Sequence, residues 1–181
     1  MKLTSYIIRA WLWLSLIFLI GAGQSLLGQI NLPYMEGFET AGPTLTFTAN
    51  TTAINGVTEW SYEKTANGRL RFDAGAGFPR TGTRAATLDA DPSGTFSINF
   101  FIGTLDLSLY TGSSDLEFSF YYQDHGEENQ ANDRVWIRGD SMAATPWIEI
   151  YDLFQGSPTA GTYNFVSGLD IDSTLRANGQ V

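Results

Sequence analysis

The sequence predicts an all-β protein: two antiparallel sheets layered as a sandwich, with one short helix near the C-terminal end. Apolar residues recur at every second position in several short segments, as they do on half-buried pleated strands. Clusters of Gly, Pro, Asn and Asp separate those segments, at Asn67-Gly68, 75–77, 91–94, Thr111-Gly112 and Gly139-Asp140. Short strands punctuated at this spacing are the mark of a sandwich. Helical periodicity is scarce.

Taken in order, residues 45–48 place Leu45 and Phe47 on one face. Residues 69–73 alternate cleanly, with Leu70 and Phe72 inward and Arg69, Arg71 and Asp73 outward. Residues 85–89 form a shorter segment and 95–102 a β-rich run. Residues 115–123 are the clearest strand, with Leu116, Phe118, Phe120 and Tyr122 sharing a face. Residues 134–138 turn Val135 and Ile137 inward, and 146–151 do the same with Ile148 and Ile150. Residues 172–179 read as a helix, with Asp172 as N-cap and Gly179 as its stop. Without a closing strand before Val181, a sheet edge is left open. A domain over 29–181 that is incomplete at its C-terminus is therefore expected.

The first 28 residues read as an address. Lys2 and Arg9 precede an apolar run over 10–20, followed by Gly21, Ala22 and Gly23. A basic start, a short apolar centre and small exit residues describe a secretory signal peptide, cleaved after Gly23 or Gly28. The run is shorter than the roughly 20 residues a bilayer span needs, so no stable membrane span is expected after cleavage; an N-terminal anchor is the alternative. Removing 1–28 takes two basic residues and no acid, deepening the formal charge of the 181-residue chain from −9 to −11. Such an acidic surface argues against nucleic acid as a partner. With no cysteine at all, disulfide scaffolds, thiolate metal sites and cysteine nucleophiles are ruled out. Together these features predict a secreted or outer-cell-surface protein.

Two groups of residues carry candidate chemistry. The loop over 124–133 is rich in hard oxygen donors, among them Asp124, Glu127, Glu128, Asn132 and Asp133, of the kind Ca²⁺ takes; a solvated hairpin connection is the alternative. A second acidic turn offers Asp89 and Asp91, again open to an ordinary turn reading. His125, the single histidine, reads as a surface residue. The other group is aromatic: Tyr121, Trp136, Trp147 and Tyr151 fall on the faces opposite the assigned core sets. There they would form a platform for sugar rings or a protein partner; with the faces inverted they would be core. No Gly-x-Ser-x-Gly, His-Glu-x-x-His or phosphate-loop motif is present. A non-catalytic extracellular module that binds glycan or protein is the leading expectation. An extracellular hydrolase of polysaccharide or protein, or an accessory domain of one, is the alternative.

Several stretches together resemble MAM-like domains of the concanavalin A-like jelly-roll group. They are Glu36-Gly-Phe-Glu39, Trp60, Gly82 before 85–89, the strand over 116–122, and 133–140. The later stretch, with 147–153 and a helix ending at Gly179, is similar to the version in large secreted bacterial proteins of the type IX secretion kind. The resemblance covers roughly 34–181. It implies a jelly-roll sandwich used for adhesion or ligand binding. It also implies a cation, Ca²⁺, held by Glu39 with Asp89 and Asp124 as further ligands.

Overall fold

The computed structural model describes residues 31–180, apart from 74–77, 92–96, 111, 113–114, 126–131 and 141–143. The proposed signal peptide, Glu127 and Glu128 lie outside these. Among the described residues, nine strands, one α-helix and a 3-10 turn (Ser108–Tyr110) are formed: β1 (Thr46–Phe47), β2 (Trp60–Lys64), β3 (Gly68–Arg71), β4 (Thr87–Ala90), β5 (Asn99–Gly103), β6 (Glu117–Gln123), β7 (Arg134–Ile137), β8 (Ile148–Asp152), β9 (Tyr163–Asp170) and α1 (Ile171–Ala177). Every ladder is antiparallel. The all-β expectation therefore holds, with the helix at the C-terminal end. The hydrogen bonds, however, make four groups where the sequence predicts two: β1-β3-β4, β2-β5, β6-β9 and β7-β8.

The first two groups enclose one core. Leu70 from β3, Tyr62 from β2, Phe72, Ile54, Val57 and Ala41 are buried, with Phe38, Phe47, Trp60 and Phe101 packed around them. Leu70 and Phe72 point inward as their alternation predicts, because one pleated face must leave water while Arg69 and Arg71 stay out. The rings interlock: Trp60 stacks on Phe101 at 4.4 Å between centroids, and Phe38 meets Trp60 edge-on at 5.3 Å. A polar thread crosses this core. The Tyr62 hydroxyl donates to Asn99 Oδ1 (2.6 Å), and Asn99 Nδ2 donates to the Asp89 carbonyl (3.0 Å). Burial, then the Asp89 charge, push the Tyr62 phenol up to about 12.

The other two groups meet through a second set of rings. Phe118, Phe120 and Tyr122 line one face of β6, as predicted, and Tyr151 of β8 packs edge-on against Phe120 at 6.0 Å. The Tyr122 hydroxyl donates to the Leu153 carbonyl (2.8 Å). Tyr151 thus lies on the core side, not on the outer face with Trp136. A register shift between Val135 and Trp136 explains this: Val135 pairs with Tyr151 while Trp136 pairs with Glu149, leaving Ile150 as the extra residue. A bulge adds one residue to one strand and reverses the alternation beyond it.

Two strands, β2 and β9, go beyond the segments read from sequence. Trp60 and Tyr62 do alternate with Ser61 and Glu63 in β2. In β9 the alternation is broken by a second bulge, where Phe118 pairs with Leu169 and Phe120 with Val166. Gly168 occupies it at φ +68°, a left-handed conformation that side chains resist.

The helix is capped one step earlier than its sequence suggests. Asp170, extended and just ahead of the helix, accepts from the Ser173 N–H (2.9 Å), so it is the N-cap. Asp172 is instead buried in the first turn, where its carboxylate accepts from the Leu116 N–H (3.1 Å) and ties α1 to β6. Gly179 ends the helix as predicted: its N–H reaches the Arg176 carbonyl and that of Gln180 reaches Leu175, a Schellman pairing. The Gln180 amide then bridges the Gly139 N–H and the Pro146 carbonyl, docking the helix end beside β7 and β8.

Candidate functional site

The three carboxylates expected to share a cation have separate partners. Glu39 accepts from the Thr83 N–H (2.9 Å), the Thr83 hydroxyl (2.7 Å) and the Arg84 N–H (3.0 Å). These hydrogen bonds, the hydroxyl first, hold its carboxyl below the usual range. Gly82 makes this embrace possible, since at φ +70° a Cβ there would fall 2.3 Å from Glu39 Oε1. Asp89 lies directly across from Arg69 on β4 and β3. It accepts from Arg69 Nε (2.7 Å) and Arg71 Nε (2.9 Å), with a further contact to Arg71 Nη2. Arg69 also reaches Asp91 at 3.2 Å.

Asp124 follows β6, and its carbonyl accepts from the Gly161 N–H (2.7 Å). Its charge acts on Asp133, which sits at the surface just before β7; local crowding first, then Asp124, raise the Asp133 carboxyl. Among the described residues, no group of three His, Cys, Asp or Glu is gathered as a metal site. As folded, Glu39, Asp89 and Asp124 do not fit one shared cation, because the first two have their oxygens committed elsewhere.

Three of the four aromatic candidates lie at the surface, while Tyr151 packs inward against Phe120. Tyr121, Trp136 and Trp147 are 43%, 45% and 42% exposed. Among the described residues no ring contact joins any two of them, so they are three positions and not one platform. Trp147 lies under the Arg138 guanidinium, 4.3 Å from its ring centre. Trp136 faces outward opposite Glu149.

Tyr121 belongs to the most developed surface. Its cross-strand partner on β9 is Phe165, stacked on it at 4.4 Å with ring planes 19° apart. Over the Tyr121 ring, at 3.6 Å from its centre, sits the Arg80 guanidinium. Phe165, at 56% exposed, is the most open ring of the group. Neither Phe165 nor Arg80 is singled out by the sequence pattern. Phe165 alternates with Val166 in β9 and was legible in principle, but the Gly168 bulge ends that alternation two residues on. Arg80 becomes relevant only because the chain folds across the sheet.

Residues 78–84 are fastened at both ends. Glu39 grips Thr83 and Arg84, while Phe78 packs edge-on against His125 (4.3 Å) and its carbonyl accepts from the Tyr163 hydroxyl. Burial raises the Tyr163 phenol, partly offset by Arg80. His125 therefore serves as a surface contact for this strap. Glu39, expected as a cation ligand, anchors the strap that delivers Arg80 to Tyr121.

No helix among the described residues is long and apolar enough to cross a membrane. Compared with protein-family models, curated proteins and solved structures, the chain matches none.

Proposed function

We propose that this chain is a non-catalytic ligand-binding module of the extracellular space or cell surface. Its strands form a MAM-like jelly-roll sandwich, and its ligand is a glycan docked on the outer face of β6 and β9. The observation that carries this reading is the exposed Phe165 ring, backed by Tyr121, with the Ser119 hydroxyl near it on the outer face of β6. A flat ring beside a hydroxyl suits a sugar, whose C–H face is apolar and whose edge is polar. A rigid ring pair also loses little rotamer freedom on binding. Trp136 offers a second, separate ring for a longer chain.

Screening the exported chain on a glycan array tests this. Phe165→Ala is expected to weaken binding at least about ten-fold while leaving the melting temperature within a few degrees. Unchanged binding by this variant would remove the site. For calcium, as the resemblance implies through Asp124, the expected sign is a lower melting temperature in EDTA, restored by Ca²⁺ and absent in Asp124→Asn; an unchanged melt removes it.

In the hydrolase alternative, Asp133 and Asp124, near enough for the Asp124 charge to act on Asp133, would serve as the carboxylate pair. Turnover of a polysaccharide that is lost in Asp133→Asn would replace the binding reading with this one.

A further inference from the structure

We propose that the cleft between the end of α1 and the connection from β7 to β8 is a pocket for one neutral sugar residue of a glycan. This rests on the glycan reading and adds a subsite that does not include the Phe165 ring. The cleft has a volume of about 430 Å³, within the range of about 300–1,000 Å³ typical of small-ligand sites. Among the described residues, Asp140, Ala144, Thr145 and Pro146 line it from the connection, and Asn178 and Gly179 from the helix end. Its two walls are already joined. The Gln180 side-chain amide accepts from the Gly139 N–H (2.8 Å) and donates to the Pro146 carbonyl (2.8 Å). Gly139 permits this approach, since a Cβ there would fall 2.0 Å from the Gln180 carbonyl oxygen. Walls fastened in this way need little reordering when a ligand enters.

The lining suits a ligand rich in hydroxyl groups. The half-buried Thr145 hydroxyl and the Asn178 Oδ1 have no hydrogen-bond partner among the described residues. Only the other half of the Asn178 amide is engaged, its Nδ2 donating to the Thr174 carbonyl (2.9 Å). A sugar hydroxyl can donate to the Asn178 oxygen and can donate to or accept from Thr145. Ala144 and Pro146 supply apolar surface for a C–H face of the ring. Charge narrows the choice further. Asp140 places a carboxylate in the wall and no basic side chain lines it, so a sugar bearing its own carboxylate or sulfate would meet a like charge there. A bare cation fits less well, because one carboxylate and two neutral oxygens fall short of the about six to eight oxygen ligands that Ca²⁺ takes.

NMR titration of the exported chain tests this, with cellohexaose, xylohexaose and mannohexaose as neutral probes and hexagalacturonate as the anionic control. At least one neutral probe should shift the amide signals of Gly139, Thr145 and Gly179 saturably, and hexagalacturonate should not. Thr145→Val should weaken that response about three- to ten-fold. Ala144→Trp, which fills the cleft from an exposed position, should abolish it at an unchanged melting temperature. Shifts confined to the residues around Phe165, or cleft shifts that survive in Ala144→Trp, overturn the pocket and leave the glycan reading standing. An equal response to hexagalacturonate overturns the choice of a neutral sugar. No shift with any probe removes the pocket and counts against the glycan reading as well.

Discussion

The two halves of the molecule use their aromatic residues in opposite ways. Between Phe38 and Gly103 the rings close around a dry centre, with Tyr62, Leu70, Phe72, Ile54 and Val57 all fully buried. Between Leu116 and Gln180 the rings are as numerous, but among the described residues only Val166 and Asp172 are buried, and neither as completely. Phe118, Phe120, Tyr122 and Tyr151 form a thinner layer, and Tyr121 and Phe165 stack on the water side. The difference lies in what covers each face. In the first half, two groups of strands supply side chains to one space; in the second, a single ring layer separates β6 from β8. Stability is therefore concentrated in the first half and open aromatic surface in the second.

The largest expected effect tests that division directly. Phe72→Ala should cost about 3–5 kcal/mol, since it empties a site with no solvent access. Phe120→Ala, in the half-buried layer, should cost about 1–3 kcal/mol because water and neighbouring rings can fill the space. Denaturant melts of both variants measure this, and equal losses would break the comparison. Next comes the ion-pair lattice on β3 and β4. Asp89→Asn leaves two part-buried guanidiniums without their carboxylate and should cost about 1–3 kcal/mol. A smaller loss would mean that Arg69 turns to Asp91 instead.

The smallest effect belongs to the strap, and it is read through pH. Glu39 is held below its ordinary value of 4.5 by its hydrogen bonds. Its contribution is present above that value and is lost as pH falls through the lowered folded-state value, where the unfolded chain binds the extra proton first. Glu39→Gln should therefore flatten the fall in melting temperature between about pH 5 and pH 3. An unchanged acid limb would show that the strap is held from the Phe78 end alone.

Much of the frame is legible from the order of residues. Leu70 and Phe72, Phe118 and Phe120, and the exposed Trp136 and Tyr121 all follow from strict alternation, because a pleated strand sends neighbouring side chains to opposite faces. Alternation fails at the two bulges. The extra Ile150 turns Tyr151 inward, and Gly168 breaks the pattern that would have marked β9 and with it Phe165. Bulges depend on how two strands pair, and one strand's sequence carries only part of that information. The choice between Asp170 and Asp172 as helix cap fails for a similar reason: both residue types suit the cap, and Asp172 was claimed by the Leu116 N–H from a distant strand.

The carboxylates mark the same boundary more sharply. Composition and local pattern were sufficient for the fold class, the acidic surface and most inward faces, because these depend on neighbours along the chain. Which partner each charged group meets depends on residues brought together from far apart. Folding gave Glu39 to Thr83 and Arg84, gave Asp89 to two arginines, and set Arg80 on Tyr121. Such contacts reflect how strands are layered, and a short-range charge interaction exists only once that layering has brought its two groups within a few ångströms.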